Sequence, residues 1–263
     1  ALLDNGSVVW WGTGLLGDGE YRSDYGAGNG GLGPAWSPVY VTLPPGRRAV
    51  DISYGQDHSC LVLDGGDAMC WGANEYGQIG DGTTCAQGVG LGCEVLTANM
   101  ASTVHGKSIP HYVDISQSVV DIEVYAKTTC AILDDGSVSC WGNNQWGQVG
   151  DNSTTHRFSP TFTFPFADGK KATSLTSGTY HHCALLDDGT VSCWGRNNEG
   201  QLGDNTTNSS YVSIPTHSLG GPAIAISSNQ DHTCAVLENG SVVCWGLSLI
   251  HISEPTRRYA IGY

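Results

Sequence analysis

Short runs of alternating apolar and polar residues recur along the chain: AVDISYG from Ala49, VVDIEVYA from Val119, ATSLTSG from Ala172 and AIAISSN from Ala223. A period of two is that of a strand with one buried face. After each run come two apolar-rich segments joined by a Gly turn. They read HSCLVLDGGDAMCWGANEYGQIGDG (58–82), TTCAILDDGSVSCWGNNQWGQVGDN (128–152), HHCALLDDGTVSCWGRNNEGQLGDN (181–205) and HTCAVLENGSVVCWG (232–246). The chain opens inside a further copy, ALLDNGSVVWWG (1–12). Trp11, Trp71, Trp141, Trp194 and Trp245 mark the copies. Pro38, Pro160 and Pro215 fall just before the next alternating run, where a residue without an N–H fits an edge strand.

No segment has helical periodicity, and each unit offers about four short strands. Tandem four-stranded units of this length are propeller blades. The pattern therefore predicts an all-β fold, a β-propeller of about four blades plus a partial one, forming an incomplete ring. An array of β-sandwiches is the alternative. The 37 glycines, with no G-X-Y period, agree with a chain made of many tight turns.

Ten cysteines sort into five pairs. Four are spaced C-x9-C across the hairpins: Cys60/Cys70, Cys130/Cys140, Cys183/Cys193 and Cys234/Cys244. A three-residue loop such as Asp134-Asp135-Gly136, a type I turn closed by a left-handed Gly, sets Leu133 against Ser137. Three further steps outward set Cys130 against Cys140, at the separation a disulfide needs. In the first copy Trp10 stands at the second cysteine position. Cys85 and Cys93 form the fifth pair, C-x7-C in a Gly-rich stretch. Disulfides are the reading adopted, with buried thiols and a zinc site as alternatives; the short C-x2-C pairs usual in structural zinc sites are missing. Regular disulfides imply an oxidising compartment.

The repeated string W-G-x-N-x-x-G-Q-x-G, nearly intact at Trp71, Trp141 and Trp194 and preceded by a D-G turn, resembles the regulator of chromosome condensation repeat. The resemblance covers 1–246 and implies a propeller, usually a ring of seven blades. The first copy departs from it, because Trp11 is followed by GTGLLGDG without the Asn and the Gly-Gln. The chain thus reads as a piece of a longer secreted protein, with the rest of the propeller missing. From Leu247 the repeat stops, and LSLIHISEPTR resembles a translated transposase sequencing adapter. Residues 247–263 are set apart as a non-native tail, so His251 and Glu254 count as no site.

Charge narrows the partners. With a net charge of −14 and only 11 Lys and Arg, the chain has no basic stripe for nucleic acid. No apolar run is long enough to span a membrane, so no membrane insertion is expected. Few residues suggest chemistry. His58, His181 and His232 stand two residues before a hairpin cysteine and could meet over a channel to hold a metal; one per blade, they read instead as structural hydrogen-bonding residues. Asp81, Asp151 and Asp204, with Asp18 in the first copy, fit turns better than a calcium cage. The five marker tryptophans, Trp11 included, are expected to wedge between blades. Asn5, Asn152, Asn205, Asn208 and Asn239 head N-x-S/T sequons. GAGNGGLG at Gly26 lacks the strand and helix of a dinucleotide site and reads as an insertion.

Binding is expected on loops and variable positions: Tyr21, Tyr25 and Trp36 in the 20–36 insertion, and Tyr76 and Trp146 in the W-G-x-N-x-x-G-Q loops. No catalytic residue and no cofactor is assigned. The expected function is a non-enzymatic protein-interaction propeller that is extracellular, on the cell surface or periplasmic, with an unidentified protein partner. The resemblance extends to bacterial members of the family that inhibit enzymes by binding them. It also implies one alternative, nucleotide exchange on a small GTPase. A propeller-fold lyase or hydrolase is another.

Overall fold

The computed structural model describes residues 1–12, 14–19, 21–22, 35–85, 93–99 and 102–247, with the backbone alone at 14–15, 21–22, 94–99 and 102–104. The hairpins form because each D-G turn has one residue in the left-handed region. Gly136 has φ 81°, Leu133 N donates to Ser137 O at 2.9 Å, and Gly136 N donates to Leu133 O at 2.9 Å. A side chain resists this conformation and glycine does not. The register follows as counted: Cys60 faces Cys70, Cys130 faces Cys140, Cys183 faces Cys193 and Cys234 faces Cys244.

Among the described residues, twenty strands build five antiparallel sheets that stand as blades, plus one small ribbon. In the first blade β1 (Val9–Gly12) pairs β4 (Ala35–Tyr40), and β2 (Gly14–Leu15) pairs β3 (Tyr21–Arg22) as the ribbon. The second blade runs β5 (Ala49–Tyr54), β6 (His58–Leu63), β7 (Ala68–Ala73), β9 (Ser102–Tyr112), with β8 (Glu94–Asn99) as a fifth strand outside β9. The third is β10 (Val119–Tyr125), β11 (Thr128–Leu133), β12 (Val138–Gly142), β13 (Arg157–Phe162). The fourth is β14 (Ala172–Ser177), β15 (His181–Leu186), β16 (Val191–Gly195), β17 (Ser210–Pro215). The fifth has three strands, β18 (Ala223–Asn229), β19 (His232–Leu237) and β20 (Val242–Gly246). Three blades of four or more strands are thus flanked by two smaller ones, in an open arc.

In the second to fifth blades the first strand lies innermost, and β5, β10, β14 and β18 touch in succession. Tyr125 Oη donates to Asn229 Oδ1 at 2.8 Å, linking the inner ends of the third and fifth blades. Every inner strand carries a bulge at its second residue, Val50, Val120, Thr173 or Ile224, and turns that side chain to solvent. A second set of bulges, between β7 and β9, β12 and β13, and β16 and β17, falls at Trp71, Trp141 and Trp194. Pro38 and Pro160 sit on the outer strands β4 and β13, and Pro110 on the stretch of β9 that β8 does not pair, where edge N–H groups would otherwise invite another strand.

The core lies between blades rather than inside any one of them. Cys60, Val62, Ala68 and Cys70 of the second blade pack with Val119, Ile122, Val124, Ala131, Leu133 and Trp141 of the third. Cys130, Ile132, Val138 and Cys140 pack in the same way with Leu175, Ala184, Leu186 and Trp194 of the fourth. Val138 and Val191 are therefore buried, while Val242, at the same place in the fifth blade, is 64% exposed because none of the described residues covers it. A chain of this kind cannot bury its apolar faces one unit at a time.

Candidate functional site

The repeated residues converge on the seams between blades. The indole of Trp141 enters the second blade's loop, where Nε1 donates to Gln78 O at 3.0 Å; Trp194 reaches Gln148 O and Trp245 reaches Gln201 O, each at 2.9 Å. The last Gly of each G-Q-x-G lies under the incoming ring. A β-carbon on Gly80 would stand 2.6 Å from Trp141 Nε1, and one on Gly203 would stand 2.8 Å from Trp245 Nε1. Gly17 of the first copy lies under Trp71 in the same way. The shortened loop therefore keeps its seam glycine even though the Asn and Gln are gone.

The Asn of W-G-x-N holds the loop from inside. Asn144 Oδ1 accepts Val149 N at 2.9 Å, while Nδ2 donates to Asp151 Oδ1, Ser153 O and Thr155 O. Asn197 repeats the pattern with Leu202, Asp204, Thr206 and Asn208, and Asn74 does so with Ile79 and Thr83. The Gln side chain turns back, so that Gln148 Oε1 accepts Trp146 N at 2.8 Å. This one loop sets its Gln carbonyl toward the next tryptophan.

The repeated aspartates are turn residues. Asp81, Asp151 and Asp204 each accept the N–H two residues on, from Thr83, Ser153 and Thr206. Asp151 also pairs with Arg157, and Asp81 with Lys107 at 3.4 Å. Burial works against the charge of Asp151, but Ser153, Arg157 and Asn144 together hold its carboxyl below the ordinary range. Asp18 lies half-buried in the first loop.

Two of the repeated histidines, His58 and His181, bridge blades. His58 Nε2 and Thr129 Oγ1 share a 2.7 Å hydrogen bond across the second seam, and His181 Nε2 and Thr233 Oγ1 share one of 2.9 Å across the fourth. Thr129 spends its proton on Gln78 O at 3.0 Å, so the shared proton comes from His58. Burial pushes His58, His181 and the neighbouring His182 down to about 3, which keeps all three neutral. His232, in the last blade, is half-buried. Among the described residues no three His, Cys, Asp or Glu side chains are placed to hold a metal.

On the channel side, polar residues of one inner strand cap the free edge of the next. Ile122 N donates to Asp51 Oδ2 at 3.3 Å, Val124 N to Ser53 Oγ at 2.9 Å, and Ser228 N to Thr176 Oγ1 at 2.6 Å. This role was not read from the sequence, where Asp51, Ser53 and Thr176 look like the solvent side of an alternating strand. Ala49, Val119, Ala172 and Ala223 N donate to the turn glycine carbonyls of the preceding hairpin, adding a peg at each seam.

All five predicted pairs are disulfides, with Cα separations of 4.0–4.1 Å in the hairpins and 5.6 Å for Cys85–Cys93. Trp71, Trp141 and Trp194 are buried and Trp245 partly so, but Trp11 departs from the expected wedge: it is 56% exposed, with no loop among the described residues receiving its ring. The predicted binding residues with described side chains, Trp36, Tyr76 and Trp146, stand on three different blades. Trp36 is 91% exposed on β4. Tyr21 lies on β3, with its side chain outside the described residues, as Tyr25 and Gly26 are altogether. Tyr76 and Trp146 are half-buried at seams: Lys127 stands over the Tyr76 ring at 4.8 Å, His156 meets its edge, and Arg196 stands over Trp146 at 5.5 Å. Exposed aromatics that were not predicted recur at one place on the outer strands, Tyr40, Tyr112 and Phe162. The sequon residues Asn5, Asn152, Asn205, Asn208 and Asn239 are all exposed.

Four-stranded blades locked by a tryptophan on a neighbour's G-Q-x-G loop define the molecule as a β-propeller. The regulator of chromosome condensation (RCC1) repeat matches residues 49–78, 119–148 and 172–201, and a second profile of that description matches 135–185 and 188–236. The chain belongs to this repeat family. The ultraviolet-B receptor UVR8 of Arabidopsis thaliana is 30% identical over 207 residues, covering 78% of this chain and 43% of the receptor. The E3 ubiquitin-protein ligase HERC2 of Homo sapiens is 28% identical over 79% of this chain and 5% of the ligase. Yeast RCC1 (Prp20), solved bound to Kap60, superposes with TM-score 0.72 at 21% identity, covering 94% of this chain and 53% of that one. Human WBSCR16 superposes with TM-score 0.70 at 22% identity over 90% and 56%. The chain spans about half the length, or less, of these proteins.

Proposed function

We propose that the chain is a non-enzymatic protein-interaction propeller that works in an oxidising compartment, secreted or at a cell surface. The observation that carries this reading is where the repeated polar groups go. The seam histidines, asparagines and aspartates are engaged in blade-to-blade or within-loop hydrogen bonds, so the motif builds a frame. Binding is then left to what the frame displays, and the exposed outer-strand aromatics Tyr40, Tyr112 and Phe162 are the anchors offered. Five disulfides support the oxidising compartment, since such bonds are not kept in reducing cytosol.

The test is photo-crosslinking from residues 112 and 162 in the extracellular fluid of the source. A discrete crosslinked partner, competed away by unlabelled wild-type protein but not by unlabelled Tyr112→Ser/Phe162→Ser, is expected. Equal labelling by a probe at Glu199 would mean non-specific contact and would sink the reading. The exchange-factor alternative predicts faster nucleotide release from a small GTPase, and the lyase or hydrolase alternative predicts turnover of a polysaccharide that is lost in His58→Ala.

A further inference from the structure

The seam between the second and third blades differs from the others in its charge. Asp51 on β5 and Asp121 and Glu123 on β10 bring three carboxylates to one channel edge, whereas β14 and β18 carry none. These four inner strands hold no Lys, Arg or His to neutralise them. Ser53 sits at the centre. Its Oγ accepts Val124 N at 2.9 Å and donates to Glu123 Oε2 at 3.3 Å, so Glu123 is bonded to the same hydroxyl that joins the strands.

We propose that this edge is a proton-controlled latch: with Glu123 neutral, β5 and β10 are held together through Ser53, and with Glu123 ionised the same contact is made against the repulsion of Asp121 and Asp51. Every strand packed on β10 bears on the argument. β5 contributes Asp51 and Tyr54, and β10 itself Asp121 and Tyr125. β6 contributes His58, which is neutral, while β11 and β14 contribute no charge. Burial, then Asp121 and Asp51, push the Glu123 carboxyl up to about 7, with Ser53 opposing. Burial and Asp51 raise Asp121 as well.

The folded state thus holds the Glu123 proton more tightly than the unfolded chain does. Stability from this group is full below the ordinary carboxylate range, falls as pH rises toward about 7, and is flat above. Water reaches the half-buried group, so the loss is set at about tenfold in the folding equilibrium rather than the full shift.

The experiment is chemical denaturation of the full chain, with its disulfides intact, from pH 5 to pH 9. His58, His181 and His182, buried and neutral, stabilise both proteins alike as pH rises, so Glu123 is read by difference: relative to Glu123→Gln, the wild type is expected to lose about tenfold in folding equilibrium between pH 5 and pH 8. Glu123→Gln should match it at pH 5 and exceed it at pH 8. A Glu123→Gln variant that keeps the wild-type pH slope overturns the proposal. Should that variant not fold, carbon-detected NMR of glutamate carboxyls in the wild type decides: a Glu123 midpoint near neutrality upholds the latch, and one in the ordinary glutamate range overturns it.

Discussion

At the scale of residues, a tryptophan here is defined by the glycine it lies on. Trp141 and Trp11 stand at the same place in their copies, yet one is fully buried on Gly80 and the other is more than half exposed. Trp141→Ala should therefore cost about 3–5 kcal/mol in denaturant unfolding, as large aromatic truncations do, and Trp11→Ala less than about 0.5. Gly150→Ala tests the other half of the contact. Its φ of 77° and the 3.0 Å approach to Trp194 Cδ1 leave no room for a methyl group, so a loss of about 1–3 kcal/mol is expected. Asn144→Ala leaves the buried Val149 N–H without its acceptor and should cost about 1–3 kcal/mol.

At the scale of elements, the hairpin and its disulfide act together, because a three-residue turn with a left-handed Gly brings the two cysteines opposite each other. What protects the bond is the next blade. Cys60–Cys70, Cys130–Cys140 and Cys183–Cys193 are fully buried in seams, whereas Cys244 at the open face of the fifth blade is exposed. Thiol–disulfide exchange needs access to a sulfur. Under graded reductant, with alkylation mapped by mass spectrometry, Cys234–Cys244 should open before these three. Simultaneous opening of the four hairpin bonds would show that the seams do not shield them.

At the scale of the whole molecule, stability is a sum over seams, as in other repeat arrays. The third and fourth blades are covered on both sides, and the fifth on one. Hydrogen exchange should therefore be slowest in β11, β12, β15 and β16 and faster in β19 and β20. Even protection across all blades would count against seam-by-seam assembly. The carboxylates of the second seam add a pH dependence that the uncharged inner strands β14 and β18 do not share.

The repeat, its strands, the all-β class and the facing of the four hairpin cysteine pairs were determined by the sequence alone. These depend on local physics: period-two alternation, Gly in left-handed turns, and a register counted outward from a closed loop. The Asp residues were likewise legible as turn formers, since an Asp side chain bonds its own backbone two residues on. Only the tertiary structure decided what lies between blades. Asp51, Ser53 and Thr176 read as solvent-facing polar residues, because nothing within one strand says that a neighbour's unpaired edge will sit beside them. Trp11 and Trp141 have similar local sequences and opposite exposure, because burial requires a partner loop supplied by another blade. Tyr76 and Trp146 looked like free anchors for the same reason, until the next blade placed Lys127 and Arg196 over their rings. Local sequence sets the shape of a blade, and contacts between residues some fifty to seventy positions apart decide which of its faces remain free to bind.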